Sequence, residues 1–278
     1  MSNLIQPAEL HERLGAADLR VVDVRFDLAD SVAGELAYRA GHIPGAVYAH
    51  LDRDLSGPLG EHGGRHPLPD PDALVARLGR LGIGNDHEVV AYDGGAGMFA
   101  SRLWWLLRYL GHDWVRLLDG GLAAWRAQGF ETSSETPRPA EQRFEPAIRP
   151  EMAVDRDYVL RNLGNPDVVL VDARAEERYR GLVEPLDPQA GHIPSALNLP
   201  FSGNLRDGRF KGSEDLRRRF ELLKGRDEVV VYCGSGVSAA HDVLAMEEAG
   251  MSGVRLYHGS WSDWCSYDDA PVETGSDS

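Results

Sequence analysis

Ala40-Gly41-His42-Ile43-Pro44-Gly45-Ala46 occurs a second time in the chain as Ala190-Gly191-His192-Ile193-Pro194-Ser195-Ala196. Three further pairs frame it in the same order. Val21-Val22-Asp23-Val24-Arg25 returns as Leu170-Val171-Asp172-Ala173-Arg174. Glu88-Val89-Val90-Ala91-Tyr92 returns as Glu228-Val229-Val230-Val231-Tyr232, and Val115-Arg116-Leu117-Leu118 as Val254-Arg255-Leu256-Tyr257. The copies stand about 150 residues apart at the start and about 139 at the end, a period far too long for a solenoid and right for a duplicated domain. Each copy alternates short apolar runs with helical patterns. In the second copy Val168–Asp172, Ala196–Leu199, Val229–Tyr232 and Val254–Tyr257 predict buried strands bounded by Gly, Pro or Asp. Ser213–Leu223 and Ser238–Ala249 predict helices, with Ser213 as N-cap before Glu214 and Asp215 and Gly250 as the stop. The expected fold class is α/β: two copies of one domain, each a parallel sheet flanked by helices. The expected boundaries are residues 1–130, a Thr-, Ser- and Pro-containing exposed connector at 131–150, and residues 151–278.

Composition narrows the partners. The 278 residues suffice for two domains. Against 29 Lys and Arg stand 44 Asp and Glu, a net charge of −15. Such a surface repels phosphate backbones and anionic lipid, so neither nucleic acid nor a membrane is an expected partner. No apolar run approaches the roughly 18 residues of a membrane span. The opening Met1-Ser2-Asn3-Leu4-Ile5-Gln6-Pro7 has no basic region followed by an apolar core, so no signal peptide is expected. The only cysteines are Cys233 and Cys265, which excludes a disulfide-rich scaffold and a cysteine-based structural zinc site. The expectation is a cytoplasmic protein with no metal and no organic cofactor.

A duplication carries its own control. Residues shared by both copies serve the fold: His42 and His192, Asp23 and Asp172, Arg25 and Arg174. The tryptophans Trp104, Trp105, Trp125, Trp261 and Trp264 read as packing, and Cys265 as structural. The copies diverge after the third strand. The first continues Asp93-Gly94-Gly95-Ala96-Gly97; the second continues Cys233-Gly234-Ser235-Gly236-Val237-Ser238-Ala239-Ala240 into a helix. A cysteine at a strand end, followed by a glycine-rich turn at a helix N-terminus, sits in an anion-binding nest that favours its thiolate. Three chemistries use such a loop. Cysteine phosphatases need a larger loop closed by an arginine, whereas Ser238 and Ala239 stand five and six residues after Cys233 and no arginine is nearby. Gly234-Ser235-Gly236-Val237-Ser238-Ala239 matches a dinucleotide fingerprint, but the acidic ribose partner expected on the next strand is missing. Sulfur transfer, in which the thiolate holds a sulfur atom as a persulfide, needs only a small ring of N–H donors.

These residues resemble the two-domain rhodanese-type sulfurtransferases over both halves. In that family only the second domain keeps the cysteine, and Asp93 stands here in the matching position of the first. Cys233-Gly234-Ser235-Gly236-Val237-Ser238 is similar to the C-G-S-G-V-T loop of the 3-mercaptopyruvate branch, whereas the thiosulfate branch usually has basic residues after the cysteine. The resemblance implies that sulfur moves from 3-mercaptopyruvate through a Cys233 persulfide to a thiol such as thioredoxin, or to cyanide. It implies a proton relay of Ser235, His66 (in Gly64-Arg65-His66-Pro67) and Asp52. It implies Arg178 as the cation for the donor carboxylate, and Gly234, Gly236, Val237 and Ser238 as the loop that holds the sulfur. The family usually has a second substrate arginine after an E-P-x-P stretch. Glu184-Pro185-Leu186-Asp187 lacks it, which leaves the role to Arg180 or to an arginine of the other domain. The alternatives are thiosulfate as the donor, or a persulfide carrier with little turnover.

Overall fold

The apolar runs become two five-stranded sheets in a computed structural model that describes residues 2–275. Residue 1 and residues 276–278 of the expected domains lie outside the described residues. The chain divides into two compact units. The first takes the chain up to Gly57, Pro69–Arg149 and Asp207–Arg209; the second takes Pro58–Leu68, Pro150–Arg206 and the chain from Phe210 onward. The short segment Pro58–Leu68 therefore leaves the copy in which it is encoded.

In the first unit, strands β1 (Leu4–Ile5), β2 (Leu19–Asp23), β3 (Val47–Tyr48), β4 (Glu88–Tyr92) and β5 (Val115–Leu118) line up as β1-β5-β4-β2-β3. In the second unit, β6 (Ala153–Val154), β7 (Val168–Asp172), β8 (Leu197–Asn198), β9 (Glu228–Tyr232) and β10 (Arg255–Tyr257) repeat that order as β6-β10-β9-β7-β8. Every pairing in both sheets is parallel. Burial on both faces explains why the central strands are unbroken apolar runs rather than alternating ones. Helices α1 (Pro7–Arg13), α2 (Ala33–Ala40), α3 (Leu51–Asp54), α4 (Pro71–Arg80), α5 (Met98–Tyr109) and α6 (Gly121–Ala127) belong to the first unit. The second has α7 (Arg156–Arg161), α8 (Glu176–Tyr179), α9 (Ser213–Arg219), α10 (Ser238–Glu248) and α11 (Ser260–Trp264). Trp104, Trp105, Trp125, Trp261 and Trp264 are all fully buried.

The repeated motifs form one clamp in each unit. Asp23 accepts from the Arg25 guanidinium (2.7 Å) and from the Tyr92 hydroxyl (2.7 Å); Arg25 donates on to the Gly41 carbonyl (2.9 Å), and Tyr92 accepts the Ile43 N–H (3.1 Å). Asp172, Arg174, Gly191, Tyr232 and Ile193 repeat the pattern. His42 and His192 turn Nδ1 to the carbonyls of Tyr38 and Tyr179. These residues tie the ends of two strands to the turn before a third, which accounts for their presence in both copies.

Three local expectations are corrected. Ser213 is the first helical residue of α9 rather than its cap: Gly212 takes the cap position without a side-chain bond, and Glu214 and Asp215 supply the favourable charge. That helix ends at Arg219 and a 3₁₀ turn, Glu221–Leu223, follows. The strand expected over Ala196–Leu199 shrinks to β8; after it the Leu199 N–H makes a last bond to the Asp172 carbonyl (3.0 Å), and the Asn198 side chain donates to the carbonyls of Asp172 and Arg174 (both 3.0 Å). The segment 131–149 is largely exposed by side chain. Its backbone is nevertheless stitched to the first unit, from Ser133 to His42, Gln142 to Gly79 and Ala147 to Leu110.

Candidate active site

Strand order reverses at β7: β8 lies on one side and β9 on the other. Ligands of open α/β sheets bind at the C-terminal ends of strands flanking such a switch, and Cys233 leaves β9 at that point. Its carbonyl and that of Gly234 accept the N–H groups of Trp261 and Ser262 (both 2.9 Å), which fixes the turn to the start of α11. The Cys233 N–H donates to Ser260 Oγ (3.1 Å), and that hydroxyl donates to the Tyr257 carbonyl (2.9 Å). Ser260 has φ +56, a left-handed conformation that costs a non-glycine residue about 1 kcal/mol or more. The equivalent residue of the first copy is Gly121, also at positive φ. Sequence reasoning missed Ser260; the available signal was a serine where the sister copy has glycine.

Cys233 is buried, and its Sγ accepts the N–H of Gly236 at 3.2 Å. Gly236 is at φ +76, which turns that N–H inward. Val237 follows, and α10 begins at Ser238 with no side chain capping its N-terminus. The positive end of the helix thus faces the turn.

The segment Pro58–Leu68 passes over the start of α11. Gly63 donates to Asp263 Oδ1 (2.7 Å) and the Arg65 N–H to Ser262 Oγ (3.0 Å). The approach at Gly64 is so close that a Cβ there would stand 2.6 Å from Ser262 Oγ, so only glycine fits. This anchoring puts His66 Nδ1 at 2.6 Å from Ser235 Oγ, with both residues buried. The second unit by itself thus gathers Cys233, Ser235, His66 and Arg178. Asp52 is carried by the first unit, at the start of α3, where its N–H donates to His50 Nδ1 at 3.1 Å.

Arg178, on α8, binds Glu184 through Nε (3.0 Å) and Nη2 (2.7 Å), and its Nη2 also meets Asp187 (3.2 Å). Arg65 pairs with the other oxygen of Asp187. Both guanidiniums lie against the turn: a Cβ placed on Gly234 would be 2.9 Å from Arg65 Nη2 and 3.3 Å from Arg178 Nη1. The turn that lacks a cation in sequence therefore has two in space. Arg180 pairs with Glu176 one helical turn away (3.4 Å). Arg65 was overlooked although it adjoins His66 in the same motif. Cys265 has no such setting, and burial pushes its thiol up to about 12. Among the described residues no group of three or more His, Cys, Asp or Glu could hold a metal ion. No helix among them is long and apolar enough to cross a membrane.

Comparison with known proteins places this arrangement. The family model of the rhodanese-like domain matches residues 6–128 and again 155–267. A Pseudomonas aeruginosa protein named "Probable 3-mercaptopyruvate sulfurtransferase" is 48% identical, over 99% of both chains. The thiosulfate sulfurtransferase of Bos taurus is 34% identical, over 92% of this chain and 87% of its own. The crystal structure of SseA from Escherichia coli is similar with a TM-score of 0.81 at 32% identity, covering 94% of this chain and 100% of that one. A duplicated rhodanese-like domain, with a cysteine turn in its second copy, and full-length likeness to sulfurtransferases make the chain a member of the rhodanese-like family and a sulfurtransferase.

Proposed function

We propose that the donor is 3-mercaptopyruvate and that Cys233 carries the sulfur. The observation that carries this reading is the 2.6 Å contact between Ser235 and His66 beside a Cys233 sulfur that accepts a backbone N–H. A buried hydroxyl paired with an imidazole moves protons. A donor whose carbon must be protonated when its sulfur leaves uses such a pair; thiosulfate, which leaves as sulfite, has no carbon to protonate. In the first half-reaction the Cys233 thiolate attacks the donor sulfur. The carbon–sulfur bond breaks, and its electron pair stays with the pyruvate enolate. The proton of the donor thiol ends on the pyruvate methyl carbon, carried by Ser235 and His66, with Asp52 as the carboxylate of the relay. Arg178 orients the donor carboxylate. The Cys233 persulfide anion rests on N–H groups of the turn from Gly234 to Ser238. In the second half-reaction an acceptor thiol, such as that of thioredoxin, attacks the outer sulfur, leaves as its persulfide and returns the Cys233 thiolate. Cyanide takes the same sulfur as thiocyanate.

Intact-protein mass spectrometry after brief exposure to each donor tests this reading. The expected result is a gain of one sulfur atom, about 32 Da, with 3-mercaptopyruvate at lower concentration than with thiosulfate. Sulfur uptake from thiosulfate alone overturns the donor assignment.

A further inference from the structure

Two guanidiniums and two carboxylates share the space above Gly234, and they are layered. The Glu184 and Asp187 side chains are 3% and 2% exposed, whereas those of Arg178 and Arg65 are 17% and 29% exposed. The acids lie behind and the cations in front. Arg178 spends Nε and Nη2 on the acids and Arg65 spends Nη1; Arg178 Nη1 and Arg65 Nη2 are the nitrogens that approach Gly234. An anion arriving beside Cys233 meets two guanidinium edges, a geometry suited to the two oxygens of one carboxylate. Arg174 also reaches Glu184 (3.3 Å) from behind and is itself paired with Asp172 (2.6 Å), so three guanidiniums stand against three carboxylates and the charges balance before any donor arrives. The two guanidinium edges serve one anionic group; a second negative charge on the donor has no further cation to meet and adds to the repulsion from the Cys233 thiolate and the two buried carboxylates.

We propose that Arg65 is a second cation for the donor carboxylate, and that Asp187, by pairing with it, makes the subsite select a singly charged donor over a dianion. The inference rests on the 3-mercaptopyruvate reading and deepens it. Its test is steady-state kinetics with 3-mercaptopyruvate and with thiosulfate for the wild type, Arg65→Ala, Arg65→Lys and Asp187→Asn. Arg65→Ala is expected to raise KM for 3-mercaptopyruvate about tenfold, with kcat within about threefold. Arg65→Lys restores part of the loss, since a lysine keeps the charge without the fork. Asp187→Asn is expected to raise kcat/KM for thiosulfate about tenfold relative to that for 3-mercaptopyruvate. An unchanged KM for 3-mercaptopyruvate in Arg65→Ala, or an unchanged donor ratio in Asp187→Asn, overturns the inference. If Arg65→Ala does not fold, Arg65→Lys and Asp187→Asn decide: an unchanged KM in the first or an unchanged ratio in the second is fatal. A wild type that takes no sulfur from 3-mercaptopyruvate overturns the donor reading and this inference together, before any variant is compared. A wild type that does so, beside an Arg65→Ala protein with unaltered KM, overturns this inference alone.

Discussion

Asp93 and Cys233 begin the same turn in the two copies, and the copies fill it differently. Asp93 fills its own nest. One oxygen accepts from Gly95 (2.9 Å) and Gly97 (3.0 Å), the other from Phe99 (3.0 Å) and Ala100 (3.4 Å). Cys233 Sγ accepts from Gly236 at 3.2 Å. The carboxylate oxygens are the second atoms beyond Cβ, and the outer sulfur of a cysteine persulfide is also the second atom beyond Cβ. The Asp93 carboxylate thus marks, in carbon and oxygen, the position that the proposed persulfide sulfur would take in the second copy. What separates a closed structural turn from a reactive one is whether the chain supplies the anion itself or leaves it to chemistry.

The comparison can be broken most severely at its centre. Cys233→Ser is expected to abolish sulfur uptake and lower turnover at least about 10³-fold. Asp93→Cys is expected to take up no second sulfur; a second adduct by mass would show that the turn alone suffices without its Ser–His pair. Next comes that pair: His66→Ala should cut kcat with 3-mercaptopyruvate about 100-fold, and Asp52→Asn less. Thiosulfate turnover in the same proteins should fall far less, and equal losses with both donors would deny His66 the proton role. Asp93→Ala strands several buried N–H groups and should destabilise the protein by about 2 kcal/mol, read as a lower Tm, with activity per folded molecule retained.

The smallest effect concerns the helices behind the turns, where Arg102 of α5 is matched by Asp242 of α10, both fully buried. Burial pushes the Asp242 carboxyl up to about 7, although Asn204 donates to it at 2.5 Å. The folded state therefore binds a proton that the unfolded state, near the usual carboxylate value of 3.8, releases. This contribution to stability is complete below about pH 4 and is lost as pH rises to about 7. Asp242→Asn should abolish that slope, raising Tm relative to wild type by about 3 °C at pH 8 and by less at pH 5. A parallel pH profile for the two proteins would contradict it.

Much of this was legible in one dimension. The parallel sheets follow from apolar runs four or five residues long, the clamps from Val-Asp-x-Arg and Gly-His-Ile-Pro, and the reactive turn from a cysteine at a strand end where the other copy has Asp93. These are local patterns. The Ser235–His66 pair joins positions 169 residues apart, and only the likeness to a family brought them together. Arg65 escaped because a surface-like arginine carries no local sign of a buried acid such as Asp187 waiting for it. Ser260 escaped because its backbone angle, not its side chain, sets it apart.

The strap Pro58–Leu68 has a consequence for how such a duplication can evolve. His66 and Arg65 are encoded in the first copy but belong to the second unit, where the N–H groups of Gly63 and Arg65 and the close approach at Gly64 seat the strap against α11. A shortened gene encoding residues 151–278 would keep the cysteine and lose both. With the roles proposed for His66 and Arg65, the first half is no redundant passenger: a gene that lost it would lose two residues of the site along with a domain.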